Sequence, residues 1–214
     1  MIILNFDEYN THRKTLLRDL HHSVFVYPTD TIYGIGCDAT NEKLVQKIRL
    51  LKKSAQPFSI IVPNKDWIYH HCVMTAEAEE WVRKLPGPYT LILRLKNKNA
   101  VARNVHNVKG ADSPTIGVRM PNHWFLAVAY QLNRPIITTS ANVTGGDFMT
   151  SLDTLDPQIR TAVDYIFYDG PKQGVLSTLI HLEGAAVVVQ PRTPIKRSSP
   201  KIQFPIEEVK LVEK

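Results

Sequence analysis

The sequence predicts an α/β (α+β) fold: a single domain built on a twisted, mixed β-sheet flanked by helices. Three features lead there. Short β-branched or aromatic runs alternate with amphipathic stretches over most of the chain, the pattern of strands separated by helices. Two strand-like runs near the end follow one another directly, which adds antiparallel pairing. The 214 residues, 43% apolar and 21% charged, suffice for one core, and no repeat or internal linker divides them.

The elements follow in order. Asp7 is expected to cap a helix over 8–20, with Leu16, Leu17 and Leu20 on one face. Val24 to Tyr27 has the composition of a buried strand, and Pro28 ends it because it lacks a ladder N–H. Asn41 caps the next helix, where Leu44, Val45, Ile48 and Leu51 form the buried stripe. Pro57 to Val62 reads as a strand. Thr75 caps a helix with Glu77, Glu79 and Glu80 in its first turn, which suits the helix dipole, and Ala78, Trp81, Val82 and Leu85 face inward. Tyr89 to Leu95 is a strand, 96–114 an irregular basic loop, and Thr115 to Met120 a short strand. Asn122 is expected to cap a helix with Phe125, Val128, Ala129 and Leu132 buried. A strand over Ile136 to Thr139, a helix near 152–162 and a strand over Tyr165 to Tyr168 follow. Ser177 to Leu182 and Ala185 to Val189 close the chain as strands joined by a tight turn at Glu183-Gly184.

The net charge of +6 favours anionic partners: nucleotides, RNA or phosphate. Half of it lies in Gln190 to Lys214, where six Lys/Arg accompany three Glu and four Pro. Basic ends of this kind are commonly solvated. The division is therefore a domain over 1–190 and a basic, proline-containing tail over 191–214. No apolar run reaches the ~18 residues of a transmembrane span. Met1 to Phe6 lacks the basic start and long apolar region of a signal peptide, so the expected location is cytoplasmic. Cys37 and Cys72, with no CxxC, read as free thiols.

The stretch from Val24 to Ala39 carries the most chemistry. Behind its strand come Thr29, Asp30, Thr31 and Tyr33, then Gly34 and Gly36, which permit a turn or a close approach. A binding pocket and a plain polar β-turn fit this stretch equally. Gly34 to Ala39 matches GxGxxA, but no helical pattern starts there and no acid stands about 20 residues on, so the context argues against a dinucleotide site. Ser140 is outside any GxSxG; with Thr138, Thr139 and Asn142 it forms either a hydrogen-bonding lip or an Asx or Ser/Thr turn. His21-His22 and His70-His71 suggest zinc, but adjacent helical histidines diverge by about 100° and read better as exposed helix ends. Lys52 and Lys53 suit a helix C-terminus, or clamp a phosphate. Arg119 lies within an apolar strand, where a charge is costly unless paired; it holds a carboxylate or phosphate, or serves a structural salt bridge.

Four stretches in order carry a resemblance: Val24 to Ala39, Leu85-Pro-Gly-Pro-Tyr-Thr-Leu-Ile-Leu93, Thr115-Ile-Gly-Val-Arg-Met-Pro121 and Pro135-Ile-Ile-Thr-Thr-Ser-Ala-Asn-Val-Thr-Gly145. Together they resemble the YrdC-like family of threonylcarbamoyl-AMP synthases, over about Val24 to Val189. The resemblance implies a fold with a concave basic cleft. It also implies a nucleotidyltransferase that joins L-threonine, bicarbonate and ATP, with Mg2+, into threonylcarbamoyl-AMP and pyrophosphate for t6A modification of tRNA. By the same resemblance Thr31, Arg119, Ser140 and Ser177 would meet the threonine. Lys52, Lys53, Thr115, Asn142, Thr150 and Arg192 would line the ATP site. No catalytic side chain and no protein metal ligand is implied, since positioning and cationic donors carry such a reaction.

Two departures stand out. The family's Lys-x-Arg is Lys52-Lys-Ser54 here, with a shortened turn and no histidine near Ile61. The arginine expected after the last strand is Gln190, with Arg192 two places on, on the same face by period-two alternation. Both fall on the phosphate side, which leaves open a YciO-like branch, or a non-catalytic RNA- or nucleotide-binding protein using the basic residues Arg94, Lys96, Lys98, Arg103 and Lys109. Partners from the t6A machinery belong to the same set of expectations.

Overall fold

The computed structural model describes residues 1–106, 114–172 and 175–192. Lys109, Gly174 and the tail from 193 onward lie outside them. Ten strands form one mixed sheet: β1 (Ile2–Leu4), β2 (Phe25–Tyr27), β3 (Gly34–Gly36), β4 (Ser59–Ile61), β5 (Tyr89–Arg94), β6 (Thr115–Arg119), β7 (Ile136–Ser140), β8 (Tyr165–Phe167), β9 (Thr178–His181) and β10 (Val188–Gln190). Their spatial order is β1-β8-β2-β3-β7-β4-β6-β5-β9-β10. Among the described residues six helices flank it: α1 (Phe6–Leu20), α2 (Glu42–Lys52), α3 (Lys65–His71), α4 (Ala76–Arg83), α5 (Leu126–Leu132) and α6 (Pro157–Ala162).

Directly paired residues share a sheet face, so the register sorts the side chains. One face carries Val26, Ile35, Ile137, Ile60, Val118, Leu91 and Ile180. These join buried residues of α2, α3, α4 and α6 in the larger core. The opposite face carries Leu4, Phe25, Tyr27, Ile61, Ile136 and Phe167, packed against Tyr9, Leu16 and Leu20 of α1 and Val128, Ala129 and Leu132 of α5. Tyr27 stacks on Phe125 with ring centres 4.5 Å apart. This second core contains no residue of β5, β6, β9 or β10. On that half of the same face the register instead sets out Thr115, Gly117 and Arg119, Thr90 and Ile92, Leu179 and His181, and Gln190. The site is built there.

Several local expectations are corrected. Asn5, not Asp7, caps α1: its Oδ1 accepts from Glu8 N at 2.9 Å and Glu8 Oε2 accepts from Asn5 N at 2.7 Å, a reciprocal capping box. Asn122 caps nothing; α5 begins after Phe125 with no side-chain cap, and the Asn122 N–H donates to Asp30 instead. The helix near 152–162 is two pieces, a 3-10 turn over Leu152–Thr154 and α6, which starts at Pro157 behind the Asp156 cap. Val188 pairs with His181, so residues 182–187 form a longer connection than a turn at Glu183-Gly184. The three-residue strands β1 and β3 and the helix α3 had no pattern long enough to announce them. In β3 the glycines are required by contact: a Cβ on Gly36 would lie 2.2 Å from the Ile137 carbonyl oxygen, and one on Gly34 would lie 2.9 Å from the Tyr27 ring. Among the described residues no helix is long and apolar enough to cross a membrane.

Candidate functional site

Arg119 ends β6, and the strand delivers it to the uncovered half of the sheet. Gly117 makes room beneath: a Cβ there would fall 2.3 Å from Ser59 Oγ. Arg119 is only 7% exposed. Its Nη2 donates to Asp30 Oδ1 at 2.9 Å and to Thr31 Oγ1 at 3.3 Å. Burial pushes the Arg119 pKa down, and the neighbouring Asp30 carboxylate opposes that shift. Among the described residues its Nε, also buried, has no acceptor. Thr31 is held in turn, with Thr29 Oγ1 2.9 Å from Thr31 Oγ1 and accepting from Thr31 N at 3.1 Å. Asp30 Oδ2 accepts from Asn122 N at 3.0 Å, which ties this loop to the chain just beyond β6. The salt-bridge reading of Arg119 is thus realised, and one nitrogen is left over.

Lys52 ends α2, also buried, at 5% exposure. Its Nζ lies 2.7 Å from Ser140 O, 3.3 Å from Ser140 Oγ, and 2.9 Å from both Asn142 O and Asn142 Oδ1. Ser140 Oγ donates to Asn142 Oδ1 at 2.5 Å, and Asn142 Nδ2 to Gly146 O at 2.6 Å. The hydrogen-bonding lip at the end of β7 is formed, and Lys52, read as a surface charge or a phosphate clamp, is a buried donor to it. Burial lowers the Lys52 pKa to about 8. The lip joins the Thr31 loop through the Ala141 N–H, which donates to Tyr33 O at 3.0 Å.

Ser177 sits just before β9. Its Oγ is 2.8 Å from Thr90 Oγ1 and accepts from Arg192 Nη2 at 2.7 Å, while its carbonyl accepts from Arg192 Nε at 2.8 Å. Burial lowers the Arg192 pKa, and repulsion from Arg119 adds to it. Gln190 is turned to His181, whose Nε2 is 3.3 Å from Gln190 Oε1. Thr115 is half-buried on the Arg119 face, opposite Arg94. Thr150 is tied to Thr154, whose Oγ1 accepts from Thr150 N at 2.9 Å. Lys53 is exposed, with φ 50°, at the C-terminal end of α2.

The structure therefore brings together Thr31 with Arg119, Ser140 and Asn142 with Lys52, and Ser177 with Arg192. Sequence reasoning placed Thr29 and Asp30 in a polar cluster without assigning their partners, and it passed over Thr90. The carboxylate inside a hydroxyl cluster was the available signal for Asp30, but its partner lies 89 positions away. Arg49, on α2, replaces nothing at the phosphate side: its guanidinium bonds the carbonyls of Ser54, Gln56 and Asn104 and packs over Phe58. Among the described residues no group of three His, Cys, Asp or Glu side chains is placed to hold a metal.

Known proteins resemble this chain in sequence and in fold. A protein of Methanocaldococcus jannaschii with the provisional name threonylcarbamoyl-AMP synthase is 31% identical over 173 residues, 79% of each chain. The solved structure of P. abyssi Sua5 complexed with L-threonine is similar over 88% of this chain at 27% identity and a TM-score of 0.73; this chain spans 56% of that one. The fold also matches E. coli YciO over 89% of this chain and 93% of that one, with a TM-score of 0.76 at 20% identity. The Sua5/YciO/YrdC family model, described as "Telomere recombination", matches residues 21–192. Four-fifths of the sequence is thus accounted for by one model, and the chain belongs to the Sua5/YciO/YrdC family.

Proposed function

We propose that the protein is an L-threonylcarbamoyl-AMP synthase that uses L-threonine, bicarbonate and ATP and releases pyrophosphate. One observation carries the reading: Arg119 is buried beside Thr31 with its Nε unpartnered among the described residues. A buried donor without an acceptor is costly, and a small carboxylate is a fitting acceptor for it. In this reading Arg119 takes the threonine carboxylate, and Thr31, Ser140 and Ser177 orient the rest of the amino acid. Arg192, Thr115, Asn142 and Thr150 line the nucleotide side. Lys52 and Lys53 enter differently from the sequence expectation, Lys52 by fixing the lip and Lys53 as a surface charge.

The threonine amine adds CO2 from bicarbonate to give a carbamate, losing a proton. A carbamate oxygen attacks the α-phosphorus and the bond to pyrophosphate breaks. Holding the two reactants in line supplies most of the acceleration, helped by cationic donors at the phosphate oxygens. The polar groups around the site are hydroxyls, amides, guanidiniums, the Lys52 ammonium and one carboxylate, Asp30, which Arg119 already engages. That set suits magnesium that would be carried by the triphosphate rather than by a protein cage and would neutralise phosphate charge.

The test incubates the protein with ATP, Mg2+, bicarbonate and labelled threonine, beside an active family enzyme. Threonine-dependent pyrophosphate release together with labelled threonylcarbamoyl-AMP is expected; no release while the control enzyme works rejects the reading. A second reading, RNA binding without catalysis on the same uncovered face, is favoured by Gln190 and Ser54 standing where arginines are expected. RNA binding there that survives saturating ATP and threonine supports it. The t6A pathway, the cytoplasmic setting and the separate tail over 191–214 belong to the first reading.

A further inference from the structure

The pair His21-His22 has no part in the site described above. Both residues line an open, shallow cleft elsewhere on the molecule, together with Arg18, Arg134, Asp38, Thr40 and Asn41. The walls come from the end of α1, the β3–α2 connection and the turn before β7. None of these residues lines the region of Arg119, Ser140 and Ser177.

The cleft is dominated by hydrogen-bond donors. Two guanidiniums, two imidazoles and the Asn41 amide face one carboxylate. That carboxylate, Asp38, is 7% exposed and already engaged. Its Oδ1 accepts from Thr40 N at 2.8 Å and Thr40 Oγ1 at 2.7 Å, and its Oδ2 lies 3.5 Å from His21 Nδ1. Asn41 Oδ1 accepts from Leu44 N at 3.3 Å, so its NH2 group is the end left for a ligand. Arg134 forms no ion pair among the described residues, and Arg18 meets only half-buried Asp19, at 3.6 Å. A metal does not suit this set, since no three His, Cys, Asp or Glu side chains among the described residues are placed to hold one.

We propose that this cleft binds a phosphate-bearing nucleoside unit, supplied as a free nucleotide or as one link of an RNA strand. Guanidinium forks match phosphate oxygens. Imidazole rings donate to phosphate or stack on an unpaired base. The groove is open along one side, which suits a ligand longer than an inorganic anion, part of which stays in solvent.

The full chain is titrated with AMP and, separately, with a short single-stranded RNA, while the imidazole C–H signals of His21 and His22 are followed by NMR. Movement of both signals is expected with at least one ligand. A response to AMP alone identifies the free nucleotide; a tighter response to RNA identifies the strand. Arg18→Ala combined with Arg134→Ala should weaken binding about 10-fold or more. For RNA it should also flatten the salt dependence of log affinity by about 0.7 per arginine. Signals that stay fixed with both ligands, or that respond equally in the double variant, overturn the proposal. The double variant is expected to retain threonine-dependent pyrophosphate release. Loss of the cleft therefore leaves the proposed reaction standing, and loss of the reaction leaves the cleft to be judged by its own signals.

Discussion

Arg119 and Lys52 are both cations drawn into the protein, and they are neutralised in opposite ways. Arg119 meets a carboxylate, Asp30, at 2.9 Å. Lys52 meets only neutral oxygens, four of them within 3.3 Å, for three N–H bonds. Burial lowers both pKa values, but only Arg119 has a carboxylate acting against the shift. A guanidinium stays charged across the working range, whereas Lys52 titrates at about 8. One arm of the site is thus indifferent to pH, and the other is held by a proton that leaves under mild alkali.

Removing Arg119 should break this comparison most strongly. Arg119→Ala is expected to lower threonine-dependent turnover on the order of 10³-fold. It also strands Asp30, at a stability cost of about 3–5 kcal/mol. The pair Arg119→Met with Asp30→Asn separates the two effects. Denaturant unfolding should recover most of the lost stability in the double variant, while turnover stays down. Recovery of both would make Arg119 a structural residue only.

Lys52→Met should come next. It leaves the oxygens of Ser140 and Asn142 without their shared donor, so the lip drifts. A misplacement of this kind costs about 100-fold in kcat/KM. Lys52→Arg keeps the charge but cannot reproduce a compact ammonium among four oxygens. A larger fall in ATP affinity than in kcat would return Lys52 to the phosphate-clamp role.

The pH dependence is smaller and its sign is specific. The Lys52 pKa is lowered from 10.5 to about 8, so between those values the unfolded chain binds the extra proton. Stability contributed by this group therefore rises with pH through that window. Over the same window the neutral amine has fewer protons for four acceptors, and the lip loosens. Unfolding free energy and turnover, measured together from pH 7 to 10, should move in opposite directions. Parallel changes would show that Lys52 does not set the lip.

How far the chain disclosed this arrangement depends on the range of each interaction. Arg119 was legible because a charge in an apolar strand needs a reason, and that reason is local to the sequence. Its partner was not, since nothing in a sequence pairs Asp30 with a residue 89 positions on. Lys52 was open to two readings, surface charge or phosphate clamp, and the structure gives a third, because its acceptors lie 88 and 90 positions away. The helices α2 and α4 announced themselves through Asn41 and Thr75, whose side chains accept from backbone N–H groups three residues on. Strand β3 stayed hidden because two glycines carry no strand pattern, though they are what lets Tyr27 and the Ile137 carbonyl come close.

Gln190→Arg should give the smallest effect and extends the comparison to a third cation. Gln190 pairs with Leu179, which sets it on the face that carries Thr90 and Arg119. It is exposed, and its Oε1 lies 3.3 Å from His181 Nε2. The His181 pKa is raised, chiefly by its hydrogen bond to Glu183. An arginine at 190 would lose the amide contact to His181 and add a guanidinium in open solvent. An exposed ion pair is worth up to about 1 kcal/mol, so the KM for ATP should fall by about five-fold at most. Added salt should erase the gain, because an exposed charge is screened where Arg119 and Lys52 are not. The KM for threonine should stay constant, since the added charge is not at Arg119. A change in the threonine KM as large as that for ATP would mean that the two sides of the site are not separate, and that burial is not what distinguishes its cations.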